Sequence, residues 1–216
     1  MNVFILGATG YIGSIVAERI QRAGHHVLGL ARSDKSAGRL AATGIEPVRG
    51  SLDNHRILAD AAVRADAIIH CAFDLGGGDF LSAVRSERAA VRTILDSIRH
   101  VDKTLIVTSG TAVLGDTGDR IFSEDTPIPQ VNGIPAASPQ AHAMRAIGER
   151  LAMEEDVLAP AVAPGHRASL TQRLWPRRRE GRSCVAATSR SEARRGPLRR
   201  RNWRPSVVIR ARRGSC

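Results

Sequence analysis

Gly7, Gly10 and Gly13 stand three residues apart, directly after the apolar run Val3, Phe4, Ile5, Leu6 and directly before a helix-like pattern. A strand, a glycine loop and a helix in that order can cradle a pyrophosphate. Glycine lets the backbone turn tightly and approach the phosphates, while the helix points its first N–H groups at them. Gly13 also lets the helix pack close against the strand. The spacing is G-x-x-G-x-x-G rather than G-x-G-x-x-G, and a lone glycine triplet is a weak signal. Its position between strand and helix is what predicts dinucleotide binding. No metal site is expected, because Cys71, Cys184 and Cys216 are scattered, odd in number and without ligand spacing. Cys71 lies in an apolar run and reads as a small buried hydrophobe, and the cysteine usage points to a reducing cytoplasm.

The elements that would position this loop alternate regularly through residue 156. A strand at 3–6 leads to a helix whose Ile12, Ile15, Val16, Ile20 and Ala23 are spaced for one buried face and which stops at Gly24. A strand at 27–31 follows, then a short strand around Pro47 and Val48 leading into Gly50, Ser51, Leu52 and Asp53. The next helix places Ile57, Leu58, Ala61 and Ala62 on one face. Residues 67–72 form a continuous apolar strand, as expected where both sheet faces are covered. A long helix carries Leu81, Val84, Val91, Ile94, Leu95 and Ile98, and a fifth strand spans 105–109. Strands alternating with helices predict an α/β fold with a Rossmann-type doubly wound parallel sheet of about five strands. Residues 115–137, rich in Gly and Pro, form a loop of functional length. Ser138 and Pro139 then supply an N-cap and a proline at the first helical position, and that helix ends near Asp156.

The net charge of +11 in 216 residues hides a division. Residues 1–156 carry 14 Arg and 2 Lys against 12 Asp and 7 Glu, a net of −3, whereas residues 157–216 carry 16 Arg against 2 Glu, a net of +14. The first segment is the candidate dinucleotide-binding domain and the second a basic tail. No stretch is long and apolar enough for a spanning helix. The first strand starts too early for a charged stub and an apolar leader, so no membrane association is expected.

With the loop and the strand alternation in place, residues 1–156 resemble the short-chain dehydrogenase/reductase superfamily. The similarity is to its extended or atypical branch of NAD(P)-dependent epimerases and dehydratases. The matching pieces are Gly-Ala-Thr-Gly-Tyr-Ile-Gly at 7–13, Gly-Ser-Leu-Asp at 50–53, Ile-Ile-His-Cys-Ala-Phe at 68–73 and Val-Thr-Ser-Gly-Thr-Ala-Val-Leu-Gly at 107–115. The helix carrying Arg145 and Glu149 is similar to the family's active-site helix. The resemblance implies that Gly7, Thr9, Gly10, Tyr11 and Ile12 wrap the pyrophosphate. Arg32 and Ser33 sit where NAD-preferring members place an acidic residue; an arginine there favours a 2′-phosphate and so NADP, with NAD as the other possibility. Arg32 as a merely solvated strand-end residue is the bland alternative. Ser51 and Leu52 would lie along the adenine, Ala72 and Phe73 at the ribose edge, and Thr108 on the nicotinamide side.

The chemistry that the resemblance implies is oxidation, reduction or epimerisation at a carbonyl or alcohol of a small-molecule substrate. Redox members use a Tyr-x-x-x-Lys pair with a Ser or Thr that holds the substrate oxygen. Anchoring on Glu149 puts the tyrosine position at Ala141 and the lysine position at Arg145. Anchoring on Gly115 puts the Ser/Thr position at Gly110, flanked by Ser109 and Thr111. The only tyrosine in the chain is Tyr11. Ser109, Thr111, His142 and Arg145 are therefore the candidate stand-ins. Arg145 keeps a positive charge for the cofactor ribose but cannot shuttle a proton. His142 has a side chain that titrates near neutrality, although a lone helix histidine is also an ordinary surface or capping residue. The remaining reading is a dinucleotide binder that does no chemistry.

Residues 157–216 contain no Asp, Lys, Phe or Tyr, and arginine clusters at 177–179 and 199–201. The composition argues against a further core strand and helix, which would leave the edge of the fifth strand bare. An arginine-rich arm with Trp175 and Trp203 could bind nucleic acid or an acidic partner as a non-catalytic regulatory module. No nucleic-acid motif or spacing accompanies the clusters, so nucleic acid is not the expected partner. A frameshifted or divergent remnant of the substrate region fits the composition better, since GC-rich DNA out of frame yields arginine, serine and proline. Translation of the coding DNA in its other frames beyond codon 156 is expected to restore a hydrophobic strand and an ordinary αβ pattern. If neither of the two other frames restores that pattern, the reading is overturned.

Overall fold

The computed structural model describes residues 1–74, 79–101, 103–110 and 139–159, and the backbone of residues 167–173 and 186–188; for residues 139 and 140 the description is likewise of backbone alone. β1 (Asn2–Leu6), α1 (Tyr11–Arg22), β2 (His26–Ala31), α2 (Asp34–Ala42), β3 (Glu46–Arg49), α3 (His55–Arg64), β4 (Ala67–His70), α4 (Phe80–Ser97), β5 (Thr104–Gly110) and α5 (Pro139–Leu158) follow in order. They build the expected parallel sheet, with strands ordered β3-β2-β1-β4-β5. Val3 pairs with Val27 on one side and Ala67 on the other, which places the point where the strand order reverses at the C-terminal ends of β1 and β4.

Alternation along the strands sends side chains to two cores. Phe4, Leu6, Ile68, Leu105 and Val107 face Leu58 of α3, Val91 and Ile94 of α4, and Met153 and Val157 of α5. Val3, Ile5, Val27 and Ile69 face Ala17 of α1 and Ala37 and Leu40 of α2. Burial on both faces is why β1 and β4 are continuous apolar runs. Among the described residues, no helix is long and apolar enough to cross a membrane.

Several details differ from the sequence expectation. The innermost positions of α1 are Gly13 and Ala17, while Ile15 and Ala23 are exposed. The helix sits so close to the sheet that only small residues fit at its contact. α2 has no counterpart in the sequence expectation; it is nine residues long and opened by a reciprocal cap in which Ser33 accepts from the Ser36 N–H and Ser36 Oγ accepts from the Ser33 N–H. Cys71 is half-buried rather than buried, and burial pushes its thiol up to about 11. α5 opens at Pro139 as predicted and runs two residues beyond Asp156, whereas Ser138 and the loop at 115–137 lie outside the described residues.

The edge of β5 is not bare. The backbone of β6 (Arg167–Arg173) pairs with it in parallel from Thr104 to Gly110, and β7 (Ala186–Thr188) adds an antiparallel strand. The physical reason is that an open edge presents a row of N–H and C=O groups that any extended backbone can satisfy, whatever its side chains.

Candidate functional site

β1 ends at Leu6 and α1 begins at Tyr11, so the whole glycine loop lies at the C-terminal edge of the sheet. Gly7 has φ +83°, and a Cβ there would lie 2.8 Å from backbone atoms of Cys71 and Ala72. The turn and the exit of β4 are therefore in backbone contact. The Gly10 N–H donates to the Gly7 carbonyl at 2.9 Å, closing the turn. A Cβ at Gly13 would stand 2.1 Å from the Gly7 carbonyl oxygen and 2.6 Å from its carbon. No side chain and no acidic residue caps the first turn of α1. A glycine turn packed against an uncapped helix N-terminus fits a pyrophosphate, whose oxygens would accept from those N–H groups. The Tyr11 side chain is 76% exposed, Ile12 and Thr9 are half-buried, and the Thr9 carbonyl accepts from Arg39 at 3.3 Å.

The other expected cofactor residues stand at the same edge. Arg32, just past β2, is exposed and ion-paired with Asp74, just past β4. Asp34 is paired with Arg49. Ser33 is the N-cap of α2. Ser51 gives its N–H and hydroxyl to Asn54 Oδ1 at 2.8 and 3.1 Å, and Leu52 is buried beside it. Thr108 Oγ1 donates to the His70 carbonyl at 2.9 Å, tying β5 to β4. Phe73 follows the half-buried Ala72 and is 37% exposed. Its ring meets Phe80 edge-on at 5.6 Å, and the Arg150 guanidinium lies 5.0 Å from its centroid.

The candidate catalytic residues within the described residues meet different partners. Thr111 lies outside the described residues. Ala141, at the tyrosine position, is buried, and Arg145 is exposed on α5. His142 Nε2 sits 3.1 Å from Asp79 Oδ1, and Asp79 in turn caps α4 by accepting from the Ser82 N–H at 3.0 Å. Hydrogen bonds from the Ser82 backbone and hydroxyl, with a smaller contribution from His142, hold the Asp79 carboxyl down to about 2. His142 thus fastens α5 to the start of α4. Ser109 is buried and gives its hydroxyl to Glu154.

Sequence reasoning missed a buried polar cluster between the sheet and α4 and α5. Glu87 of α4 is 1% exposed and accepts from Arg150 Nη2 at 2.7 Å. His70 is fully buried with neither ring nitrogen hydrogen-bonded among the described residues. Burial drives Glu87 up to about 7 against the attraction of Arg150, and drives His70 down to about 4 with Arg150 adding to the effect. The signal is present in the sequence: Glu87 falls in the stripe of Val84, Val91 and Ile94, and Arg150 in that of Ala146, Met153 and Val157.

The two shifts act on stability in opposite directions. Glu87, with its folded value raised, favours the fold most below about 4.5 and loses that contribution as pH rises through 7. His70, with its folded value depressed, contributes fully above 6.5 and loses it as pH falls through 4. Between these limits they offset each other. Glu87→Gln is expected to expose the histidine limb, with stability dropping by roughly 3 kcal/mol from pH 6.5 to 4 relative to wild type. His70→Leu is expected to show the reverse slope from pH 7 to 4.5, and urea midpoints across that range would measure both. Parallel profiles for the three proteins would contradict it.

A hollow of about 430 Å³ on the outer side of α4, lined by His55, Arg85, Arg88, Arg92 and Glu149, contains none of the glycine-loop residues. It is crossed by ion pairs from Glu149 to Arg85 and Arg88 at 3.2 and 2.8 Å and belongs to the packing of α4 on α5.

The model of the NAD dependent epimerase/dehydratase family matches residues 3–141. An uncharacterized protein of Schizosaccharomyces pombe is 34% identical over 130 residues, which is 60% of this chain and 44% of that protein. A sterol-4-alpha-carboxylate 3-dehydrogenase (decarboxylating) of Dictyostelium discoideum is 26% identical over 137 residues, 60% of this chain and 42% of that one. The chain thus spans less than half the length of these relatives. Among solved structures, a short-chain dehydrogenase/reductase superfamily protein of Agrobacterium tumefaciens with bound NAD superposes with TM-score 0.61 at 18% identity, over 79% of this chain and 48% of the other. A UDP-glucuronic acid 4-epimerase of Bacillus cereus in complex with NAD gives 0.60 at 20% identity, over 79% and 55%. At those identities the structural likeness speaks for the fold alone.

Proposed function

Because the chain belongs to the NAD dependent epimerase/dehydratase family, we propose that it binds a nicotinamide dinucleotide at the 7–13 loop, with NADP preferred over NAD. The observation that carries this is the Gly13 contact: the backbone of the loop occupies the space of a side chain, which leaves the first turn of α1 open to phosphate. When bound, the dinucleotide supplies hydride chemistry at a carbonyl or alcohol of a small molecule. The loop backbone would hold the pyrophosphate, Phe73 and Ala72 would border the ribose, and Thr108 would flank the nicotinamide. The proton-transfer positions have no donor of the family's kind. Ala141 has no proton to give, and His142 is engaged with Asp79. We therefore propose a binder whose turnover, if its pocket admits a substrate, is slow.

The preference for NADP is supported by Arg32 at the end of β2, where Asp74 already holds the guanidinium at the cradle edge. A 2′-phosphate would replace Asp74 as its partner, and Asp34 is neutralised by Arg49. Arg32→Ser is expected to weaken NADPH binding by about 10- to 100-fold, the worth of a charge-assisted contact of about 1.5–3 kcal/mol, and to leave NADH within about twofold. Fluorescence titration with both nucleotides measures it. Equal affinity of the wild type for NADH and NADPH would overturn the NADP assignment.

A further inference from the structure

We infer that Arg150 is a positioning residue for the dinucleotide, holding the Phe73 ring at the mouth of the cradle while Glu87 anchors its guanidinium from behind. The inference rests on the dinucleotide-binding reading above. The geometry is a chain of contacts. Glu87 Oε2 receives Arg150 Nη2 at 2.7 Å in the interior, and the Arg150 guanidinium carbon lies 5.0 Å from the Phe73 centroid. Two residues before Phe73, the Cys71 backbone presses against Gly7 of the loop. Phe80, the first residue of α4, closes the aromatic edge at 5.6 Å. An arginine over a ring face is attracted by the ring quadrupole, more so where water is excluded. Arg150 therefore couples a buried carboxylate to the segment that borders the phosphate turn.

Ionised Glu87 fixes the guanidinium. Protonated Glu87 leaves a buried cation with a neutral partner, a state in which the arginine is drawn toward water and the ring loses its support. Among the described residues, the buried titratable groups on this side of the sheet are Glu87 of α4, Arg150 and Glu154 of α5, and His70 of β4, with Arg88 of α4 half-buried beside them. Arg88 points to Glu149 and Asp156 at 2.8 Å each, and Glu154 receives Ser109. His70 stays neutral at and above pH 6 because burial holds it down to about 4. From α3, this core takes Leu58, Ala61 and Ala62, which carry no charge. Burial pushes Glu87 up to about 7, so its charge changes near neutrality.

Only the ionised fraction would then be ready to bind, so apparent affinity scales with that fraction. Affinity is expected to fall about tenfold from pH 8 to pH 6, and binding near pH 7 is expected to release protons by linkage. The test is fluorescence titration of the full chain with NADH and with NADPH from pH 6 to 8.5, for wild type, Glu87→Gln and Phe73→Leu. The quantity to compare is the ratio of variant to wild-type Kd for each nucleotide, in which the nucleotide's own ionisation cancels. Glu87→Gln should bind as weakly at pH 8 as wild type does at pH 6, and its Kd ratio should shrink from about tenfold toward one as pH falls. Phe73→Leu, which keeps the ion pair and removes the ring, should flatten the profile in the same way and serves if Glu87→Gln does not fold. If wild type binds neither nucleotide at any pH, the dinucleotide reading fails and this inference with it. If wild type binds and the Kd ratios do not change with pH, the reading stands and the positioning role is wrong.

Discussion

Gly13→Ala is expected to lower affinity for NADPH by at least about 100-fold while most of the sheet still folds. The added methyl would stand 2.1 Å from the Gly7 carbonyl oxygen and 2.6 Å from its carbon, and both are backbone atoms with no rotamer to escape into. Either the loop or the N-terminus of α1 must move outward. Overpacking of this kind costs about 1–3 kcal/mol in stability. The loss in binding is larger than that cost suggests, because the displaced atoms are the ones that would meet the phosphates. A shift near 1 Å at a site that depends on oriented N–H groups removes several hydrogen bonds at once. Gly38→Ala is the matched control: Gly38 lies in α2 with nothing within 4 Å of where a methyl would stand, and alanine there should stabilise by about 0.5–1 kcal/mol and leave binding unchanged. Isothermal titration of the two variants separates the cases. Gly13→Ala binding within about threefold of wild type would contradict the cradle geometry.

Arg150→Ala should be the most damaging single change outside the loop. It leaves the Glu87 carboxylate buried without its partner, and breaking a buried pair from one side costs about 3–5 kcal/mol. That is a large share of the roughly 5–15 kcal/mol that holds a domain together. The direction with pH follows from the charge left behind. Without Arg150 the carboxyl is raised further, so the loss should be greatest above pH 7 and should shrink as the medium acidifies and Glu87 takes up a proton. The double variant Glu87→Leu, Arg150→Met removes both charges and should recover most of the stability, since apolar replacement of a buried pair is often neutral or favourable. Urea denaturation at pH 6 and pH 8 measures all of these. A cost below about 1 kcal/mol for Arg150→Ala at pH 8 would show that the pair is solvated rather than buried.

What the sequence made legible and what it did not have separate physical causes. The glycine loop could be recognised because its requirement is steric and local: Gly7 needs positive φ and Gly13 cannot carry a Cβ. The central strands β1 and β4 are legible because two covered faces demand unbroken apolar runs. α2 escaped notice because its apolar content on the buried side is small, Ala37 and Leu40, and its cap uses Ser36 where a glutamate would signal more clearly. The depth of α1 was misjudged for a related reason. Hydrophobic spacing ranks Ile15 as interior, yet a helix pulled down onto a glycine contact buries its smallest residues. The strand on the β5 edge follows from unsatisfied backbone rather than from side-chain pattern, and composition is blind to that. The Glu87–Arg150–His70 cluster was overlooked because charged residues on a helix are read as solvent-facing by default. Their register within the apolar stripes of α4 and α5 argued otherwise.

Titration of the full wild-type chain with NADPH at pH 8, followed by nicotinamide fluorescence, asks whether the glycine loop holds a nicotinamide dinucleotide. Saturable one-to-one binding that NADP competes away is the expected result. A signal that stays linear to millimolar nucleotide, from a chain whose circular dichroism shows the folded αβ sheet, would contradict it.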